Sequence, residues 1–178
     1  MATKLIDFTV VPTRREQTGR ARLIVFHLDE RRYALPFGCV GRVVRAVEVT
    51  RLPHAPALLL GVINVHGRVI PVINLRRQFH LPERELKLSD QFIIASTARQ
   101  TVALWVDNVD GALNSATQEV VAAEEIVPGL KSVEGFAKVS DGLILLHSLE
   151  SLCDFANDHV VASSLLEESA AAEVRDDG

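Results

Sequence analysis

The chain reads as an all-β protein with one helix near its C-terminal end, and three observations carry that reading. Short apolar runs rich in Val, Ile and Leu recur along residues 21–146, separated by turn-forming Gly, Pro, Asp and Ser. No strand-like run alternates with a helix-length segment, so a βαβ architecture is not indicated. Only from His147 does the apolar spacing change: Leu149, Leu152 and Cys153 sit at i, i+3 and i+4, the helical period. About nine or ten short strands with short turns point to small barrels or a sandwich, since closure removes free sheet edges.

Residues 1–19 read as a polar, flexible arm. Ala21 to Leu28 and Arg31 to Pro36 form a hairpin that turns at Asp29-Glu30. Val40 to Val49 is apolar with Arg42 and Arg45 interspersed, and strand and short helix are equally open there. The prolines of Pro53-His54-Ala55-Pro56 make a loop. Leu58 to Val65 and Val69 to Leu75 form a second hairpin through His66-Gly67-Arg68, with Gly67 in the tight position. Pro71 places the second of these strands at an edge or a bulge.

Leu81 to Asp90 is a charged connector, and Gln91 to Thr97 pairs with Gln100 to Asp107. Trp105 points to the face opposite Leu104 and Val106, as a core plug or as an exposed anchor. Glu124 to Leu130 is a loop. Val133 to Val139 and Gly142 to Leu146 are the last hairpin, turning at Ser140-Asp141. Val160 to Val174 reads as an Ala/Glu-rich helix or a fraying tail.

Composition bounds the function. The 178 residues are 48% hydrophobic but only 5% aromatic, so the core is aliphatic. No apolar leader follows Met1, and the longest apolar stretch, Ala55 to Val65, is too short and too interrupted to span a bilayer. Cys39 and Cys153 have no CxxC spacing, which fits a reducing cytoplasm and two small buried hydrophobes. Residues 1–100 carry 16 Lys+Arg against 8 Asp+Glu, and residues 101–178 carry 3 against 15. That asymmetry means either faces of opposite sign that orient partners or two solvated faces that merely differ.

No catalytic constellation is visible. Phosphate-loop, dinucleotide, zinc-protease and nucleophile-elbow motifs are absent, and the six histidines are scattered away from metal-ligand spacing. Asp107-Asn108-Val109-Asp110-Gly111 lacks the full ligand alternation and closing Glu of a calcium loop, and reads as a strand end with turn formers. No cofactor or metal is expected. Nucleic-acid binding is disfavoured by single or paired arginines, a pI of about 5.9 and few aromatics. A membrane-surface role is disfavoured because the acidic C-terminal segment would repel anionic lipids, and no direct membrane insertion is expected. What remains is an interaction module.

The run Gly61-Val62-Ile63-Asn64-Val65-His66-Gly67-Arg68-Val69-Ile70-Pro71-Val72-Ile73-Asn74-Leu75-Arg76 closely resembles the signature of CheW-like domains, approximately G-V-x-N-L-R-G-x-x-[IV]-P-V-[IV]-D-L-R. Phe26-His27-Leu28 to Tyr33-Ala34-Leu35-Pro36, Val40 to Arg45, Val49-Thr50-Arg51-Leu52-Pro53 with Pro56, Val106-Asp107-Asn108-Val109 and Ile144 to Leu152 match flanking family features in order. The resemblance covers roughly residues 20–156 and leaves 157–178 as an acidic tail.

This resemblance implies two five-stranded β-barrels, SH3-like in size, packed on a shared aliphatic core. It implies a non-catalytic, cytoplasmic, stand-alone adaptor that joins the regulatory domain of a CheA-type histidine kinase to the tip of a methyl-accepting chemoreceptor. The alternative is a module of the same fold serving pilus motility or second-messenger control.

The resemblance carries Val40, Gly61, Asn64 and Gly67 to the receptor-facing groove. For each there is also a structural reading: core for Val40, backbone geometry for the two glycines, turn capping for Asn64. Arg42 and His66 belong to the groove as departures, because the family usually has Glu and Arg there and often pairs them. An imidazole can switch charge near neutral pH where an arginine cannot, which implies a divergent receptor tip. Leu104, Val106 and Val109 are the expected kinase contacts, with barrel core as the competing reading.

Overall fold

The computed structural model describes residues 8–9, 22–115, 118–130 and 133–153. A two-residue strand, β1 (Phe8–Thr9), precedes the expected hairpin of β2 (Arg22–Leu28) and β3 (Arg31–Pro36). A 3-10 turn at Phe37–Cys39 passes the chain to β4 (Val40–Arg45), so the ambiguous stretch is strand for its first six residues. β5 (Leu59–Val65), β6 (Arg68–Asn74) and the one-turn helix α1 (Leu75–Gln78) follow. β7 (Gln91–Ser96) and β8 (Thr101–Val106) pair as expected. Then come β9 (Asn108–Asn114), β10 (Glu119–Ala122), α2 (Ala123–Ile126), β11 (Gly135–Val139), β12 (Gly142–Leu146) and α3 (Leu149–Cys153). Most of the arm, and all of the 157–178 tail with the Val160 to Val174 helix, lie outside the described residues.

The all-β class with a late helix is what forms, but not as two closed five-stranded barrels. The strands make two six-stranded sheets, ordered β1-β4-β7-β8-β6-β5 and β10-β11-β12-β3-β2-β9. Each contains one parallel pair, β6 with β8 and β12 with β3. The first sheet is drawn toward closure by a single bridge, in which Thr50 and Val62 exchange two backbone hydrogen bonds of 2.9 Å.

Each sheet still wraps a small core of its own. Val44, Ile63, Val72, Phe92 and Trp105 fill the first, and Leu23, Val25, Ala34 and Ile144 the second. The largest cluster lies between the sheets, where Phe26, Tyr33 and Leu35 meet Ile73, Ile93 and Leu104, and α3 adds Leu149 and Leu152. Aromatic rings cross this junction as well: Tyr33 of β3 stacks on Phe79, just past α1, with centroids 4.7 Å apart.

Three strands (β1, β9 and β10), the 3-10 turn and the helical turns α1 and α2 have no counterpart in the sequence reading. β9 alternates between exposed and half-buried residues, with none fully buried, and Gly111 sits beside a register shift against β2. Its short turn-forming residues therefore looked like a strand end. β10 is a largely exposed edge strand, and α2 occupies the start of the expected loop. Neither has the apolar periodicity that marks an element in sequence.

Pro71 is not on an edge strand, because β6 lies between β5 and β8. It is tolerated for a local reason. Val62, opposite Pro71, spends both its N–H and its C=O on Thr50, away from β6. In an antiparallel pair the facing residue also points its backbone groups outward. The nitrogen of Pro71 thus faces the β8 side, where the ladder begins only at Val72. The one register shift in the β5–β6 pair lies at Leu59/Gly61 instead.

Candidate functional site

The tip of the β5–β6 hairpin is a two-residue turn, since Arg68 already belongs to β6 and pairs with Val65. His66 and Gly67 have φ of 51° and 81°, the pair of positive values that a type I′ turn requires and that matches the twist of its strands. A histidine in this conformation is uncommon. The Asn64 side chain supports it, its Oδ1 accepting from the Gly67 amide at 2.8 Å. Asn64, His66, Gly67 and Arg68 are all exposed.

Gly61 has a different task. It is buried, with φ of 151°, and an added Cβ would lie 2.2 Å from the Thr50 carbonyl oxygen and 2.8 Å from Val49 Cγ1. It lets the chain after β4 close against β5. Val40 is core, 4% exposed and packed between the sheets. Arg42 is half-buried on β4 beside β1, and no ion pair joins it to His66 or to any carboxylate among the described residues. The structure therefore gathers Asn64, His66 and Gly67 at one turn and gives Val40 and Gly61 structural positions.

The expected kinase contacts divide in the same way. Leu104 and Val106 are 0% exposed in the inter-sheet core, so neither side chain offers a direct contact surface. They face that core because alternate residues of β8 look to opposite sides, and both sides of β8 are buried. Val109 on β9 is half-buried and stays accessible. Trp105 faces the other way, as the alternation requires, and is a core plug: 2% exposed, its Nε1 donating to Asp90 Oδ2 at 3.0 Å.

A charged cluster at the junction of the sheets escaped the sequence reading. Arg76, in α1, is 1% exposed. Its Nη2 donates to Asp29 Oδ1 at 2.6 Å and to Asp107 Oδ2 at 2.7 Å, and its Nη1 to the Pro82 carbonyl at 3.1 Å. Arg84, from the connector, donates through Nη2 to Asp107 Oδ1 at 2.5 Å and through both Nη atoms to Asp90. The Asp29 amide also donates to Asp107, at 2.7 Å. Asp107 is thus the shared acceptor at the point where the chain passes from β8 in the first sheet to β9 in the second.

The electrostatics follow the geometry. The hydrogen bond from Arg76 holds the Asp29 carboxyl below its ordinary 3.8, outweighing the opposing effect of burial. Burial pushes Asp90 upward, yet Arg84, the Lys87 amide and the Trp105 indole together leave it below 3.8. Burial also works against the charge on Arg76, but Asp29 and Asp107 hold its pKa above the ordinary guanidinium value. The sequence signal was present in two places: Arg76 ends the aliphatic run of β6, and Asp107 ends that of β8. A lone charge closing an apolar run reads as a strand boundary unless the partner is known.

Residues 22–156 match the model of the CheW-like domain. The chain belongs to the CheW-like family. A probable chemotaxis protein CheW of Rhizobium etli is 28% identical over 136 residues, covering 75% of this chain and 88% of that protein. Chemotaxis protein CheW of Bacillus subtilis is 31% identical over 109 residues, covering 61% and 69%. The crystal structure of the scaffolding protein TtCheW from Thermoanaerobacter tengcongensis superposes with a TM-score of 0.65 at 30% identity, covering 75% of this chain and 92% of that one. CheW-like proteins are non-catalytic scaffolds of chemotaxis, and the hairpin tip and charged junction described above both lie within the matched residues. No helix among the described residues is long and apolar enough to cross a membrane.

Proposed function

We propose that this chain is a cytoplasmic adaptor that couples the tip of a methyl-accepting chemoreceptor to the regulatory domain of a CheA-type histidine kinase. The observation that carries the proposal is the agreement of the family match over residues 22–156 with a two-sheet architecture that superposes on a CheW scaffold. The receptor contact centres on the exposed turn with Asn64, His66 and Gly67, and takes in the half-buried Arg42 of β4. Val40 and Gly61 shape that surface from within. Val109 is the accessible member of the kinase set, supported from beneath by Leu104 and Val106.

The family's frequent carboxylate–arginine pair is replaced here by Arg42 and His66, so a receptor tip must meet cationic or neutral groups. That selects a partner with carboxylates at the contact. Binding of the host's kinase regulatory domain and receptor-tip peptides to the purified protein tests the proposal. Both are expected to bind, and His66→Arg/Arg42→Glu is expected to shift preference toward receptors with the common family tip by tenfold or more. Absence of kinase binding by the wild type refutes the adaptor. Equal binding of a common-type receptor by wild type and double variant refutes the role given to Arg42 and His66.

A further inference from the structure

We infer that the cluster of Arg76, Asp29 and Asp107 is a clasp that sets the angle between the two sheets, and that Asp29 and Asp107 are positioning residues for coupling the protein's two binding faces. The inference rests on the adaptor reading above and adds to it the part of the molecule through which coupling passes.

The cluster differs from the rest of the junction in kind. The inter-sheet core is aliphatic, and apolar burial attracts without direction, so it resists separation of the sheets more than rotation of one over the other. Guanidinium–carboxylate bonds are directional, and those at Asp107 converge from separate elements. Arg76 comes from α1, Arg84 from the 79–90 connector, and the Asp29 amide from the β2–β3 turn of the second sheet. Arg76 also holds the start of the connector through Pro82, while Asp90 holds its end through Arg84, the Lys87 amide and Trp105.

Three carboxylates and two guanidiniums are thus locked around one chain crossing. Arg84 ties Asp107 to Asp90, and both flank strands of the first sheet, so the side-chain bond that reaches the second sheet is that of Arg76 with Asp29. The side chain of Asp29 is 43% exposed, so its replacement is milder than that of the buried Arg76.

The proposed contacts give this arrangement its consequence. Asn64, His66 and Gly67 lie on the first sheet and Val109 on the second. A scaffold that relays receptor state needs a fixed relation between the faces, because coupling is an interaction free energy between two sites. The clasp supplies that relation.

The test uses the full chain as Asp29→Gly, which keeps the left-handed backbone at that position (φ 54°), with Asp107→Asn as the stronger perturbation and Arg84→Gln as the control. Residual dipolar couplings are measured for the isolated protein, pairwise binding for the kinase regulatory domain and the receptor tip, and receptor-dependent kinase activity for the assembled complex. In Asp29→Gly each pairwise affinity is expected to stay within about twofold of wild type. The two sheets are expected to need separate alignment tensors, and receptor control of the kinase to fall at least tenfold. Arg84→Gln is expected to keep the common alignment and receptor control, since its partners Asp90 and Asp107 both flank strands of the first sheet.

A common alignment for both sheets in Asp29→Gly, or wild-type receptor control by that variant, overturns the inference while pairwise binding leaves the adaptor reading standing. Failure of the wild type to bind either partner overturns both.

Discussion

Gly61→Ala separates a structural from a recognition role at the position where the two are most easily confused. The new methyl group would sit 2.2 Å from the Thr50 carbonyl oxygen, which is backbone and cannot swing aside, and 2.8 Å from Val49 Cγ1. It would also force alanine to φ near 151°, where L-residues are strained. Strain of this kind costs about 1–3 kcal/mol, and overpacking a closed site costs about 1–3 kcal/mol more. If the chain relieves the clash by opening the Thr50–Val62 bridge, it gives up two hydrogen bonds worth about 1 kcal/mol each.

These routes are alternatives as much as additions, so the expected loss is about 3–5 kcal/mol. Gly67→Ala is the control: its φ is 81°, but no atom lies within 4 Å of the added Cβ. It should lose only about 1–2 kcal/mol, from left-handed strain alone. Urea unfolding followed by the fluorescence of Trp105 measures both. At an m-value of about 2 kcal/mol/M the Gly61→Ala midpoint falls by about 2 M. A loss below about 1 kcal/mol, or one no larger than that of Gly67→Ala, would refute the assignment of Gly61 to chain closure.

Other expectations follow from the same structure. Leu104→Ala opens a cavity in the inter-sheet core and should cost about 2–5 kcal/mol in the same unfolding assay; a neutral result would mean that Leu104 is not packed there. Asp29 and Asp90 have depressed pKa values in the fold, so their contribution is fully present above the ordinary 3.8 and is lost as the pH falls through their lower folded values. Stability measured from about pH 6 downward should therefore drop below about pH 4, less steeply in Asp90→Asn, and an increase on acidification would contradict the sign. Burial raises the Cys39 thiol to about 11, and its Sγ donates to the Pro36 carbonyl at 2.9 Å. Cys39 should react with a thiol reagent at pH 8 far more slowly than free cysteine does and become labelled on unfolding.

The sequence by itself determined the class of this protein and the surface it presents at one turn. Runs of β-branched residues, the Gly67 turn and the late change to a helical period are local signals, because strand, turn and helix preferences are set within a few residues. The same locality made Gly61, Asn64 and Gly67 stand out and linked the chain to the CheW-like family. β9 and β10 were not legible, because exposed edge strands carry little apolar periodicity.

Tertiary structure decided how the parts divide their work. Whether Val40, Leu104 and Val106 meet a partner or a core depends on the other sheet, which lies far away in sequence. So does the Pro71 exception, which needs Val62 to bond Thr50. The Arg76–Asp29–Asp107 clasp is the clearest case: Asp29 lies 47 and Asp107 31 residues from Arg76, and each looks like an ordinary turn or strand-boundary residue. Burial of a charge is permitted only by its partners, and partners brought together by folding leave no local pattern from which to read them.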